Sequence, residues 1–152
     1  MRTSEAKRAK PIDVWFVLPP DLVLLDFAGP AEAFRIAAAR GGGFRVRVAA
    51  AEAAATTSIG VTLGGVEPLP DALNADDLLI VCGSTNDDAA LASKPGRALV
   101  RWLREVGHTP RRFACVCAGA LFAGRAGLLD GSGDLELFRD FNHAGVPPVS
   151  WQ

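Results

Sequence analysis

Three short, uninterrupted apolar runs constrain this chain most: "IDVWFVLP" (Ile12 to Pro19), "DDLLIVCG" (Asp76 to Gly83) and "RRFACVC" (Arg111 to Cys117). Each is too short for a buried helix and lacks the polar alternation of a half-wet strand, so each reads as a strand buried on both faces. Helix-like stretches separate them. Pro30 suits the first turn of a helix, where its missing N–H would be unpaired anyway. Ala31 to Arg40 continue with helix formers until Gly41 to Gly43 stop them. "NDDAALASKPGRALVRWLREVG" reads as one helix or two, with Leu99, Val100, Trp102, Leu103 and Val106 as its apolar face, and "AGALFAGRAGLL" as a helix of small residues. "FRVRVAAA" (Phe44 to Ala51) alternates like a strand. Thr56 to Val66 read as a short ribbon turning near Gly60, and "EPLPDALNA" as a loop with a turn of helix. Buried strands alternating with helices make an α/β fold with a mainly parallel sheet covered on both faces.

The chain's 152 residues suit one domain with a real core. Sixteen basic and seventeen acidic side chains give a net charge of -1, which provides no electrostatic footprint for nucleic acid or an anionic membrane. Only residues 1–11 are locally basic, and they read as a solvated tail. Three cysteines without framework spacing argue against a disulfide-stapled secreted domain. No apolar run approaches the roughly 18 residues of a membrane span, and Pro19, Pro20 and Asp21 interrupt the one stretch that could mimic a signal peptide. A cytoplasmic protein, not membrane-bound, is expected.

In parallel sheets, reactive groups gather beyond the carboxyl ends of the strands. Three features fall there: "LLDFAGP" with Asp26 and Gly29, "CGSTND" with Gly83 and Ser84, and "CAGA" with Cys117 and Ala118. A strand entering a helix through Cys117, Ala118 and Gly119 has the small residues of a nucleophile elbow, where backbone N–H groups form an oxyanion site. A thiol at a helix start is also drawn toward thiolate. The plain alternative, a small packed cysteine, ranks second at Cys117 and first at Cys115 and Cys82. Asp26 is balanced between a proton-shuttling carboxyl beside the thiol and a capping carboxylate. Gly83 and Ser84 could offer amide donors, whereas Ser84 and Asn86 read equally as loop or cap residues. His108 and His143 lack ligand spacing with the cysteines, so no metal and no cofactor is expected.

Together, "LLDFAGPAEAF", "LLIVCGS" and "FACVCAGALFAGRAGLLDG" resemble the ThiJ/PfpI family of the class I glutamine amidotransferase-like fold, over roughly Ile12 to Gly131. The resemblance is strongest to the N-terminal domain of AraC-type transcription regulators of the GlxA kind, with bacterial isocyanide hydratases a near second. It implies a flavodoxin-like three-layer sandwich and a homodimer. It further implies Cys117 as the elbow cysteine, Asp26 as its acidic partner, Gly83 and Ala118 as oxyanion-type donors, and a Gly29-Pro30 step starting the first helix beside the cleft. The chain departs from the family in three places. Ala118 carries no hydroxyl where Thr, Ser or Asn is usual, and Gly83-Ser84 stands where Gly-Gly is common. After "LLDG" the basic residue and Thr-His-Trp segment do not follow, and His143 sits in no matching context. The expectation is therefore an incomplete domain over residues 12–131, its C-terminal part missing or replaced by a divergent tail over residues 132–152.

Two functions follow from the resemblance. One is a small-molecule-sensing domain of an AraC-type regulator without its helix-turn-helix, and so with no direct nucleic-acid contact. The other is a cysteine-dependent hydratase or hydrolase, isocyanide hydratase-like, working through Cys117 and Asp26. A non-functional remnant is the third reading.

Overall fold

A computed structural model describes residues 10–85 and 87–130; the expectations placed on residues 1–9, Asn86, His143 and the divergent tail lie outside the described residues. The three apolar runs are strands β1 (Ile12–Leu18), β6 (Leu78–Val81) and β7 (Arg112–Cys115). The alternating segment is β2 (Phe44–Ala50). Their order in the sheet is β2-β1-β6-β7, with every pairing parallel. This is the strand order of a flavodoxin-like sheet, and its switch point lies between β1 and β6. The ribbon forms as expected from β3 (Ala55–Thr56) and β4 (Thr62–Leu63), turning at Gly60 with φ +79°.

Two sequence expectations are corrected. The segment "EPLPDALNA" begins with a two-residue strand, β5 (Glu67–Pro68), that extends the sheet beyond β2, and no helix follows among the described residues of that segment. Pro68 is tolerated there because an edge strand can spare one ladder N–H. The first helix, α1 (Leu24–Ala39), begins six residues before Pro30, which lies inside it. A proline within a helix deprives the carbonyl four residues back of its donor, and here that is the Asp26 carbonyl. The Cys82 Sγ stands 3.8 Å from this oxygen and donates to it, so the gap is filled from the sheet. Tertiary packing thus overrides the local rule that placed Pro30 in the first turn.

The helices divide between the faces. Phe27, Ala31 and Phe34 of α1 pack on a cluster built from Val14, Phe16, Leu18, Ile80 and Cys82. Phe16 meets Phe27 and Phe34 edge-on, with ring centroids 5.7 and 6.2 Å apart. On the opposite face, Trp15, Val17, Leu79 and Val81 meet α2 (Asp87–Ala92), α3 (Lys94–Val106) and α4 (Gly119–Arg125) through Ala90, Leu99, Trp102, Leu103 and Phe122. The alternation of side chains along each strand feeds both layers, which is why these strands are apolar throughout. Ser93 caps α3 by accepting the Gly96 N–H at 3.0 Å. Among the described residues no helix is long and apolar enough to cross a membrane.

At the other end of the sheet, Asp13 and Arg45 face each other across β1 and β2 and form two hydrogen bonds of 2.6 and 2.7 Å. Arg47 also pairs with Glu67 and lies over the Trp15 ring at 4.4 Å. The Arg45 guanidinium is the main cause that holds the Asp13 carboxyl below its ordinary 3.8, with Arg47 and Lys10 adding to it and desolvation opposing. A carboxyl with a lowered folded value contributes stability that is present above its unfolded value and lost as pH falls through the folded one. Asp13→Asn is expected to flatten the fall in urea stability below pH 3.8 while changing its slope little at neutral pH. An unchanged acid slope would remove Asp13 from the account.

Candidate functional site

The chain leaves β7 through a tight turn. The Val116 N–H still donates to the Val81 carbonyl of β6 at 2.9 Å, and the Gly119 N–H returns to the Val116 carbonyl at 3.0 Å. Cys117 and Ala118 are the two residues at the corner, and Cys117 takes φ +51°. A side-chain-bearing residue in this left-handed region costs roughly 1–3 kcal/mol and persists only where the surroundings impose it. Gly119 imposes it: a Cβ there would stand 2.2 Å from the Val81 carbonyl oxygen and 3.0 Å from that of Cys82. Only glycine lets the turn press onto the end of β6.

Gly83 is the point around which the other groups gather. A Cβ on Gly83 would lie 2.6 Å from the Asp26 Oδ2, 3.0 Å from the Ala118 nitrogen and 3.2 Å from the Cys117 Cβ. Residues following β1, β6 and β7 therefore meet at the carboxyl edge of the sheet, beside the switch point where open α/β sheets hold ligands. The Gly83 carbonyl accepts from the Val23 N–H at 3.0 Å and ties the start of α1 to this loop. Among the described residues, no hydrogen bond engages the Gly83 or Ala118 N–H.

Asp26 occupies the first turn of α1, and its Oδ2 is buried without a hydrogen-bond partner among the described residues. A capping carboxylate would accept a backbone N–H there, and this oxygen accepts none. Burying a carboxyl oxygen unmatched is costly.

The three thiols differ sharply. Cys117 is exposed, Cys115 half-buried and Cys82 buried. Burial pushes both inner thiols up to about 12, the Asp26 charge adding to the effect at Cys82. Cys115 packs against the α3–α4 side of the core and Cys82 against the α1 side, as the sequence reading of both as packing residues expected. The thiol contact of Cys82 with the Asp26 main chain was not anticipated; its signal was Pro30 standing four residues after Asp26.

The structure thus brings together Cys117, Ala118, Gly83 and Asp26. Ser84 lies beside them, buried and bridged to Leu22. Gly29 does not join: it is exposed on α1, and a Cβ there would meet nothing nearer than the Leu25 Cδ1 at 4.0 Å.

No family model matches the sequence. The uncharacterized protein in cpoL 5'region of Streptomyces lividans is 35% identical over 108 residues, spanning 71% of this chain and 74% of that one. Among solved structures, an AraC family transcriptional regulator from Pseudomonas putida aligns with TM-score 0.60 and 23% identity, over 85% of this chain and 72% of the regulator chain. A DJ-1 superfamily protein from Agrobacterium tumefaciens aligns with TM-score 0.58 and 20% identity over 79% and 61% of the two chains. Schizosaccharomyces pombe DJ-1 aligns with TM-score 0.56 and 16% identity over 84% and 73%. The chain belongs to one family with the Streptomyces lividans protein and is built on the DJ-1/ThiJ/PfpI fold.

Proposed function

We propose that this chain is a small-molecule-recognition domain of the kind found in AraC-type regulators, with its ligand seated at the Cys117 corner. One observation carries the reading: the exposed Cys117, at φ +51°, and the unpartnered buried Asp26 Oδ2 both border the space that Gly83 leaves open. The unengaged Gly83 and Ala118 amides supply donors for an oxygen or nitrogen of the ligand. Ala118 offers no hydroxyl to assist turnover, which favours recognition over catalysis. Likeness to a regulator structure supports the same choice. The domain works as a homodimer, a reading supported by Leu25 and Ile36 of α1, 75% and 41% exposed, as apolar surface for a second copy to cover.

The second reading is a cysteine-dependent hydratase, favoured by the Asp26 Oδ2. Cys117 would add to the isocyanide carbon while Asp26 passes the thiol proton to it, and water would then add to the thioimidate and expel the Cys117 thiol to leave the N-alkylformamide, the two amides holding developing charge. Simple alkyl isocyanides separate the two. The recognition reading expects Cys117-dependent thermal stabilisation without product. Formamide production that disappears in Cys117→Ser would establish the enzyme instead.

Gly83→Ala tests the geometry common to both. Its methyl must occupy the space 2.6 Å from Asp26 Oδ2, so the variant is expected to lose ligand-induced stabilisation. Wild type at a hundred times Kd should gain about 2.7 kcal/mol. Equal stabilisation of the variant by the same isocyanide would remove Gly83 from the site.

A further inference from the structure

On the far side of the molecule from α1, an open groove of about 430 Å³ runs between α3 and α4. It is lined by Arg97, Arg101, Arg104 and Arg125, with Leu91 and Val100. The first three arginines are spaced four and three residues apart on α3, so they share one face. Arg125 comes from α4, and its carbonyl accepts from Arg104 Nη2 at 3.0 Å. Arg97 donates to the Ala92 carbonyl. All four side chains are exposed, and among the described residues none forms a salt bridge, although Glu105 lies on the same helix.

Such a stripe is unfavourable alone, because like charges three and four residues apart on a helix repel. Two other arginines, Arg45 and Arg47, are paired with the carboxylates of Asp13 and Glu67. Four guanidiniums around two aliphatic side chains make a surface suited to an acidic partner carrying apolar groups. A bare phosphate chain would use the arginines and leave Leu91 and Val100 idle.

The sequence contains a segment of that chemistry. Asp134 to Phe141, "DLELFRDF", interleaves Asp134, Glu136 and Asp140 with Leu135, Leu137, Phe138 and Phe141, against the single basic Arg139. It follows directly on the α4 end of the groove, since the described chain runs from Arg125 to Asp130. From Asp130 to Asp134 an extended chain can reach about 14 Å, and so short a tether holds the segment at millimolar effective concentration. We propose that the arginine groove between α3 and α4 is the docking site for the chain's own acidic–apolar segment Asp134 to Phe141. Carboxylates pair with the arginine fork geometry, and leucine or phenylalanine side chains cover Leu91 and Val100.

Hydrogen exchange on the full chain reads this directly. Backbone amides of residues 134–141 are expected to exchange about tenfold more slowly than an unstructured reference peptide of the same sequence. Arg101→Glu with Arg104→Glu should abolish the protection, and adding Asp134→Arg with Glu136→Arg should restore it. Amides of Leu99 and Leu103 serve as the internal control for folding, and Arg101→Gln with Arg104→Gln replaces the reversal if that control fails. Salt near 1 M, where screening acts over about 3 Å, should also weaken protection. Absence of protection in wild type, or protection indifferent to every arginine variant, overturns the proposal. Protection that fades on dilution, together with dissociation of a dimer, overturns it in favour of a second copy's segment.

Discussion

Iodoacetamide at pH 8 will take up one equivalent on the folded chain, and Cys117 will carry it. Denaturation should expose the other two cysteines and raise the uptake to three equivalents. The reason is burial and thiolate supply together. Only the thiolate attacks, and Cys82 and Cys115 are pushed from an ordinary 9.0 up to about 12 by desolvation. That rise removes about a thousandfold of their thiolate at pH 8 relative to an unburied thiol. Cys82 is additionally sealed, with no exposed surface. Peptide mapping by mass spectrometry assigns the label, and Cys117→Ser should reduce uptake to background. A second equivalent entering before the unfolding transition would show that the inner thiols are not held as described. The same shifts carry a stability consequence. A thiol whose folded value is raised contributes stability below pH 9.0 that is lost as pH rises toward about 12. Alkaline destabilisation in urea should therefore be blunted in Cys82→Ala after allowance for its cavity.

A large loss of stability from a single methyl is expected at Gly119. Gly119→Ala places a Cβ 2.2 Å from the Val81 carbonyl oxygen, an atom of the sheet that no rotamer change can move aside. The helix α4 must lift, and with it Phe122 and Ala123, both buried without exposed surface. Overpacking of this kind costs about 3 kcal/mol, a large share of the 5–15 kcal/mol that typically separates folded from unfolded chains. Urea midpoints measure it. Gly60→Ala is the matched comparison: it meets nothing within 4 Å, so only its φ of +79° is strained. Its cost should be about 1 kcal/mol. Equal losses at the two positions would contradict the packing account.

Much of this fold was legible because its strands are buried on both faces. Runs such as Val14 to Leu18 leave no polar position to confuse the reading. The tight turn after β7 was legible because Ala118, Gly119 and Ala120 are smaller than a helix needs, which implies something close by. Other features depend on partners distant in the chain. β5 is two residues long and exists through its register with Ala49 and Ala50. The start of α1 at Leu24 depends on Cys82 and Gly83 supplying groups that no local rule contains. Gly29 was expected beside the cleft because the resemblance implies a Gly29-Pro30 step starting the first helix there, but the helix begins at Leu24 and leaves Gly29 exposed. The arginine groove was readable in part. Arg97, Arg101 and Arg104 share a helix face by spacing alone, whereas Arg125 joins them only once α4 is packed beside α3.

The meeting point at Gly83 draws on the ends of three different strands, so it also records the order in which the chain folds. No local stretch can make it: Asp26 and Cys117 must wait until β1, β6 and β7 are paired in parallel, and such long-range pairing is slow to form. During refolding, Cys82 and Cys115 should close to a pulse of alkylating reagent as these pairings form, whereas the exposed Cys117 stays reactive throughout. The thiol chemistry of this domain is then a clock for its own topology, running on the time the sheet takes to bring distant parts of the chain together.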